Sequence, residues 1–246
     1  MKRLIEGMLI LSILWFVASS WKITDPFFMP NPIDVLEGGF HLIQSGQLIN
    51  DSIASLFRIV LAFTISMVVG VPSGLVLGRA PSIYRRLEFI IDFFRSTPAT
   101  ALFPLFMVVF GVSDTPKIVA ASFGGFLIIL FNTAYGVMHS QKMRLQAISL
   151  MGASQAQKLR YITVYESLPQ TFIGLRGAVS LCVMVIIVTE MFLGTDAGLG
   201  RRIIDSQTVF DVKGMYACII AVGILGYLLN MGLLMASKRF IHWIAE

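Results

Sequence analysis

Long apolar stretches, each close to the length of a bilayer-crossing helix, alternate along the chain with shorter polar stretches. A hydrocarbon core of about 30 Å is spanned by roughly 20 mostly apolar residues. The runs are continuously apolar, and a backbone in lipid must satisfy its own hydrogen bonds, so the pattern predicts helices rather than a barrel. Six spans are predicted, at residues 4–20, 52–77, 97–113, 118–138, 171–193 and 215–237.

Composition supports the same class, since 56% of the 246 residues are hydrophobic and 13% are charged, with a mean hydropathy of +0.80. These values lie well outside the soluble average. We therefore predict an all-α, polytopic membrane protein with a single transmembrane domain over residues 1–246. Cys182 and Cys218 fall inside predicted spans and have neither metal-site nor disulfide spacing, so buried thiols and no metal are expected.

The basic residues predict an orientation, because cytoplasmic loops carry the excess of lysine and arginine in membrane proteins. With both termini in the cytoplasm, twelve basic residues lie on the inner side: Lys2, Arg3, Arg79, Arg85, Arg86, Arg95, Lys142, Arg144, Lys158, Arg160, Lys238 and Arg239. Five lie on the outer side: Lys22, Lys117, Arg201, Arg202 and Lys213. No basic face is interleaved with aromatic residues, so a nucleic-acid partner is not expected.

The first span also has the layout of a secretory signal peptide, because Lys2 and Arg3 precede its apolar core and small residues end it. We expect it to be retained as a membrane helix. Prolines at positions 26, 30 and 32 exclude a helix directly after it, and a short amphipathic helix is predicted over residues 33–47.

Glycines and prolines mark special positions inside two other spans. Gly70, Gly74 and Gly78 recur every four residues in the second span, which predicts a groove against which a neighbouring helix packs closely. Pro98 and Pro104 interrupt the third span, so its early backbone is predicted to be irregular and to face protein or a cavity rather than lipid.

One polar stretch, within residues 140–169, separates the fourth and fifth spans. Residues 143–150 and 155–162 have helical spacing, and Gly152 lies at their joint. Because glycine readily adopts positive φ, it can end one helix before another begins. The pattern predicts two short helices that form a compact knob in the cytoplasm.

The knob sequence QAISLMGAS, which begins at Gln146, resembles the EAA coupling loop of permease subunits from binding-protein-dependent ABC importers. Four positions match the motif or its common Gly-Ala-Ser variant: Ala147, Gly152, Ala153 and Ser154. Three positions depart from it, with Gln146 for glutamate, Ile148 for the second alanine and Val164-Tyr165 for Leu-Pro. The missing carboxylate at Gln146 leaves the consequence for any charged contact at that position open.

Other segments are similar to the branch of this family that imports nitrate, sulfonates, taurine and bicarbonate. They are MPNPIDVL from Met29, FRSTPATALFPL from Phe94 and TEMFLGTDAGLGRRI from Thr189. The resemblance implies the MetI-like fold of a type I ABC importer permease in a bacterial inner membrane. It implies a homodimer, two ATPase subunits docked at Gln146, Ala147, Gly152, Ala153 and Ser154, and an extracytoplasmic solute-binding protein. The implied solute is small and anionic or organic.

The chain itself lacks the motif that would hold ATP. A P-loop has the pattern G-x-x-x-x-G-K-[ST], whose backbone cradles phosphates, and it does not occur in this sequence. We therefore expect a transport subunit rather than an enzyme, with no cofactor of its own. ATP and Mg²⁺ are expected on the partner ATPase.

Two charged residues lie within or at the end of the fifth span, where a charge is costly. Arg176 and Glu190 are too far apart along one helix to pair with each other. Arg176 is interpreted as a snorkelling or interhelical residue, or as a group that attracts an anion. Glu190 is interpreted as an anchor at the outer end of the helix or outer gate, or as a solute contact. Together with Pro98 and Phe103, they are candidates for the translocation path or gate.

Two other functions remain open on the sequence. A secondary transporter would couple ions through intramembrane carboxylates and inverted repeats, but the chain offers Glu190 and no visible repeat. An intramembrane protease would use Ser73 as the nucleophile and would need a histidine base. All three histidines lie outside or at the edge of the predicted spans: His41, His139 and His242.

Overall fold

The computed structural model describes residues 2–21, 27–140, 142–192 and 195–241, and this part of the chain is helical without any strand. The helices are α1 (Lys2–Ser20), α2 (Pro32–Gln44), α3 (Gln47–Arg79), α4 (Pro81–Ser96), α5 (Phe103–Phe110), α6 (Asp114–Met138), α7 (Lys142–Leu150), α8 (Gln155–Lys158), α9 (Val164–Glu190), α10 (Leu199–Thr208) and α11 (Val212–Phe240). A 3₁₀ turn, Ala99–Leu102, precedes α5, and a π-helical turn, Leu159–Thr163, joins α8 to α9. The predicted all-α class is confirmed.

Four segments in the described residues are long and apolar enough to cross a membrane: α3, α6, the continuous helix Gln155–Glu190, and α11. They coincide with the predicted spans 52–77, 118–138, 171–193 and 215–237, except that Leu193 lies outside the described residues. A fifth is added if α4 and the segment Ala99–Phe110 are counted as one bent span. Helix α1 occupies the predicted first span, and the count of six stays a prediction.

The predicted third span over residues 97–113 overlaps a bent pair of segments and, as a membrane span, stays a prediction. Helix α4 ends at Ser96, and the segment that follows is bent from it by 86°. The cause is local, because a residue before proline is driven out of the helical region, and Thr97 before Pro98 is extended, with ψ 122°. The predicted irregular backbone is therefore confirmed, while a straight helix of membrane length is absent here.

The second helix of the predicted knob is not short. It begins at Gln155 and continues through the π-helical turn into α9, giving 36 residues without a break. In that turn the N–H of Val164 bonds to the carbonyl of Leu159, five residues back. The predicted boundary between a loop over residues 140–169 and a span from 171 therefore falls within one helix and stays a prediction; residue 141 lies outside the described residues.

The predicted amphipathic helix after the first span is confirmed as α2. Pro32 occupies its first turn, where a missing N–H costs nothing. The Asn31 side chain caps this end by accepting a hydrogen bond from the Ile33 N–H at 3.1 Å. The helix ends at Gln44, and Gly46 follows with φ +75°.

Packing divides the chain into two compact units, and the prediction of a single domain is not tested by this division. The first unit comprises residues 1–56 and 190–225, and the second comprises residues 57–189 and 226–246. The second unit contains most of α3, α6 and α9. Its core includes Ile129, Phe172, Leu175 and Ala178, with apolar side chains from α3 and α11 packed around them.

Gly70, Gly74 and Gly78 lie on the side of α3 that meets α6. A Cβ placed on Gly74 would lie 2.6 Å from the Cβ of Thr133 and 2.8 Å from the carbonyl oxygen of Leu130. At Gly78, the same atom would lie 2.5 Å from the Cβ of Val137. These separations are shorter than van der Waals contact, so the two backbones approach this closely because side chains are missing here.

Candidate functional site

Helix α7 ends in a turn that requires a glycine. The Gly152 N–H donates to the Ser149 carbonyl at 3.0 Å, and the Ala153 N–H donates to the Ile148 carbonyl at 3.2 Å. This pair of bonds defines a Schellman motif, whose residue after the helix cap adopts positive φ. Gly152 occupies that position with φ +79°, and no atom lies within 4 Å of where its Cβ would be.

Ser154, two residues after Gly152, begins helix α8 with a reciprocal cap. The Ser154 hydroxyl accepts a hydrogen bond from the Gln157 N–H at 3.3 Å, and the Gln157 side-chain oxygen accepts one from the Ser154 N–H at 2.7 Å. This capping box satisfies two N–H groups that the first turn of a helix leaves unpaired. The sequence Gly-Ala-Ser thus ends α7 and begins α8. Sequence reasoning missed the capping box, although its Ser-x-x-Gln signal was present at Ser154.

Residues 143–154, the first part of the predicted knob, form an elbow between α7 and α8. The tip of this elbow exposes apolar side chains. Leu150 is 91% exposed and Met151 is 85% exposed. Of the five predicted docking residues, Gln146, Ala147, Gly152 and Ser154 are exposed and Ala153 is half-buried. Large exposed apolar side chains grouped on a protruding turn are typical of a surface that contacts another protein.

Polar contacts and backbone continuity tie the elbow to the membrane helices. Arg144 of α7 donates to the Glu166 carboxylate of α9 at 3.2 Å. Arg79, the last residue of α3, donates to the Gln155 side-chain oxygen at 3.5 Å. Because α8 runs directly into α9, a displacement of the elbow is passed along one continuous helix.

Comparison with known proteins identifies the family to which the chain belongs. The family described as "Binding-protein-dependent transport system inner membrane component" matches residues 66–242, well over half of the chain. The chain belongs to this family. It is therefore a permease subunit of an ABC import system and has a transport role rather than a catalytic one.

Individual relatives agree with this membership, and a solved structure has the same fold. A probable ABC transporter permease protein of Brucella melitensis is 28% identical over 229 residues, covering 93% of this chain and 92% of that protein. The taurine transport system permease protein TauC of Escherichia coli strain K12 is 28% identical over 242 residues, covering 96% of this chain and 88% of that protein. The MetNI methionine ABC transporter, in inward-facing conformations, matches with TM-score 0.66 and 20% identity, covering 82% of this chain and 98% of that chain. The predicted MetI-like fold is confirmed.

Arg176 of the permease lies on an exposed side of α9. Ile173, Ser180 and Met184 share that side at helical spacing, and all three are exposed. The Ser180 hydroxyl accepts a hydrogen bond from the Asn230 side chain at 2.9 Å. A side of a membrane helix that combines arginine, serine and exposed apolar groups suits a protein interface or an aqueous path better than lipid.

Glu190 is the last residue of α9 and is 0% exposed. Hydrogen bonds fix the position of its side chain. Its carboxylate accepts the Ser55 hydroxyl at 2.7 Å and the Gly200 N–H at 3.0 Å. Two neighbouring N–H groups are also bound by side chains of α3: Leu199 donates to the Ser55 hydroxyl and Gly198 to Asp51, each at 2.9 Å.

These three consecutive N–H groups form the N-terminus of α10, which has no capping side chain of its own because Gly198 precedes it. The first N–H groups of a helix need acceptors, and the positive end of its dipole favours carboxylates. Asp51 also accepts a hydrogen bond from Arg202 at 2.7 Å. Glu190 and Asp51 therefore fasten α10 to the ends of α9 and α3, which is the geometry of an anchor.

Replacing Glu190 with leucine is expected to lower the free energy of unfolding of the permease by about 3 kcal/mol, because two buried donors lose their acceptor. Glu190→Gln should cost less, since its amide oxygen can still accept the Gly200 N–H. Thermal unfolding in detergent measures both variants, with Asp205→Asn, at a half-exposed carboxylate of α10 paired with Arg201, as the control. Equal melting temperatures for wild type and Glu190→Leu would contradict the anchoring role.

The remaining path candidates lie in the second unit. Phe103 is 1% exposed and begins α5, so its ring is inside the unit in this conformation. Pro98 lines a cavity of about 520 Å³ where α4 breaks. Of the four predicted path residues, Arg176 is exposed, Pro98 borders a cavity, and Phe103 and Glu190 are buried.

Sequence reasoning missed a charged cluster at the start of α6. Asp114 forms an ion pair with Arg58 of α3 and accepts a hydrogen bond from Lys117, each at 2.9 Å. Both cations are buried, Lys117 to 1% exposure. The Asp-x-x-Lys spacing was the available signal for the bond within α6, whereas the approach of Arg58 depends on tertiary packing.

Proposed function

We propose that this permease forms the translocation path for a small organic or anionic solute that an extracytoplasmic binding protein delivers. ATP hydrolysis on two separate ATPase subunits, which bind ATP and Mg²⁺, drives the import. The permease works as a homodimer in a bacterial inner membrane. The observation that carries this proposal is the exposed elbow at residues 143–154, which directly precedes the continuous helix Gln155–Glu190.

Docking of the ATPase at Gln146, Ala147, Gly152, Ala153 and Ser154 is supported by the form of the elbow. Its turn is fixed at both sides by backbone and capping bonds, so it is a rigid projection rather than a loose loop. Leu150 and Met151 supply apolar area that a partner would cover. The departure at Gln146 removes a carboxylate, so the docking relies on shape and apolar contact at that point.

The orientation with both termini in the cytoplasm is supported by the excess of basic residues on the side of the elbow. In that orientation the elbow faces the ATPase subunits. Arg144 belongs to the elbow and Lys158 and Arg160 follow it directly, on the side where the positive-inside rule expects basic residues.

A second copy of the permease is supported by the exposed side of α9. Ile173, Arg176 and Ser180 would meet hydrocarbon in a lone subunit, at a cost for the arginine and serine. In a homodimer, the second copy covers this side of α9, or the side faces an aqueous path that both copies share. Arg176 then offers a positive charge to a passing solute, which suits the relative that is named for taurine transport, because taurine carries a sulfonate.

We expect the ATPase subunits to copurify with the wild-type permease in detergent and to be lost when residues Gln146 to Ser154 are deleted. A less drastic variant, Leu150→Glu, places a charge in the apolar tip and should reduce recovery of the ATPase about tenfold or more, since burying an unpaired carboxylate is costly. The measurement is the ratio of ATPase to permease after affinity purification.

The matched control is Val112→Glu, which adds the same charge at an exposed apolar residue between α5 and α6. It should leave the ratio unchanged. Undiminished recovery of ATPase with the deleted elbow would refute the docking role.

A further inference from the structure

A cavity of about 520 Å³ lies at the break between α4 and the 3₁₀ turn, wholly within the second unit. Two of its lining residues, Asp92 and Arg95, carry charge, and Ser96 adds a hydroxyl. Apolar residues of α6 and α9, including Leu127 and Leu181, form other parts of the wall. Its volume falls within the range of small-molecule sites.

Arg95 is held in place but is not saturated with hydrogen bonds. Its Nη1 donates to the Asp92 carboxylate at 3.1 Å, and its guanidinium carbon lies 3.8 Å from the centroid of the Phe131 ring. Among the residues that the structure describes, Asp92 is the one hydrogen-bond acceptor of this guanidinium, which has five N–H groups. Stacking on the ring fixes the plane of the guanidinium and leaves its edge available for an oxyanion.

The pairing of Asp92 with Arg95 is open to competition. The Asp92 side chain is 58% exposed and that of Arg95 is 36% exposed. An ion pair within one helix at this level of exposure is held weakly. A ligand can therefore exchange for part of this contact on both sides without leaving a deeply buried charge unpaired.

The charge balance of the cavity selects the kind of ligand. With one carboxylate and one guanidinium among its described lining residues, the wall is neutral. A solute with a single charge would pair with one of the two side chains and leave the other without its charged partner, so a charge-assisted hydrogen bond is lost. A solute that carries both charges provides a partner for each side chain.

We propose that this cavity binds a small zwitterion, whose oxyanion pairs with Arg95 and whose ammonium group pairs with Asp92. Because the two side chains are hydrogen-bonded neighbours, the two charges of the ligand are separated by one or two carbon atoms, as in an aminoalkylsulfonate or an amino acid. This assignment rests on the proposed transport function and narrows its solute class from small organic or anionic solutes to zwitterions.

The test compares ligands that differ by one charged group. Taurine and β-alanine are the zwitterionic probes, ethanesulfonate lacks the ammonium group, and ethylamine lacks the oxyanion. Each is titrated against the purified permease–ATPase complex in lipid nanodiscs, without binding protein, and its Kd is measured by calorimetry. Wild type should bind at least one zwitterion about tenfold or more tightly than either singly charged probe, the usual effect of one charge-assisted hydrogen bond.

Two variants assign the charges. Asp92→Asn should remove the preference for a zwitterion over ethanesulfonate, and Arg95→Gln should remove the preference over ethylamine. Glu88→Gln and Arg85→Gln, on α4 outside the cavity lining, are the matched controls and should retain both preferences. Arg95→Lys keeps the charge without the planar fork and should recover part of the affinity.

The outcomes separate this site from the proposed function. Failure of every zwitterion to bind a complex that contains its ATPase would overturn the site alone. Equal affinity of wild type for taurine, β-alanine and ethanesulfonate would do the same, as would unchanged zwitterion binding by Asp92→Asn. If the ATPase does not assemble with the permease, the proposed function fails, and titration of the permease alone still decides the site. If Arg95→Gln does not fold, the ligand series on wild type and Asp92→Asn gives the answer.

Discussion

Replacing Gly152 with valine is expected to separate the permease from its ATPase while the membrane helices stay folded. Gly152 has φ +79° within the Schellman motif that ends α7, and a β-branched residue is strained in that conformation by about 1–3 kcal/mol. No atom lies within 4 Å of the added Cβ position, so the strain is confined to the backbone of the turn. The turn relaxes by changing φ, which redirects the exposed tip and displaces Leu150 and Met151 from their docking geometry.

The measurement is ATP hydrolysis by the reconstituted complex, together with the ratio of ATPase to permease after purification. Gly152→Asn is a milder variant that should retain part of the ATP hydrolysis and part of the bound ATPase, because asparagine tolerates positive φ better than other side chains. Gly232→Val in α11 is the matched control, since that glycine also has no atom near its Cβ position but lies within a helix. Full ATP hydrolysis and assembly with Gly152→Val would contradict the role of the elbow.

Replacing Gly78 or Gly74 with alanine is expected to reduce the free energy of unfolding by about 3 kcal/mol, at the upper end of the usual cost of overpacking. The new Cβ at Gly78 would lie 2.8 Å from the backbone carbonyl oxygen of Ala134, which cannot move aside as a side chain could. Helix α3 must therefore move away from α6. Gly70→Ala should cost less, because its nearest contact is 3.0 Å and is made by the Ile129 side chain.

Melting temperature in detergent and the yield of monodisperse protein measure this series. Gly232→Ala should keep or slightly raise the melting temperature, since alanine is favoured over glycine in an unobstructed helix. If Gly70→Ala, Gly74→Ala and Gly78→Ala all melt at the temperature of the wild type, the close approach of α3 and α6 does not depend on these positions.

The sequence was sufficient for the helical class, the family and the positions of most helices, because these depend on local composition and on a motif at fixed spacing. Runs of apolar residues as long as that around Gly70 have few alternatives to a membrane helix. Gly152 was identifiable because a glycine between two helical patterns has one common physical reason, positive φ.

What the sequence did not reveal depends on partners that are distant along the chain. Glu190 was recognised as a charge in need of a partner, but Ser55 is 135 residues away and no local pattern connects them. The bend after Ser96 had a local signal in Pro98, but a proline in the sequence does not specify the size of the bend, which is 86°. The continuity of Gln155–Glu190 was missed because Pro169 and the polar composition favoured a break that the helix does not make.

The π-helical turn Leu159–Thr163 determines which way the rest of α9 faces. One extra residue in a turn rotates every later side chain by about 100° relative to an uninterrupted α-helix. Removing a single residue there would turn Arg176 and Ser180 to a different azimuth while the elbow kept its own shape. These five residues lie outside both the gate candidates and the elbow, and they set the rotation of the exposed side of α9 relative to the elbow.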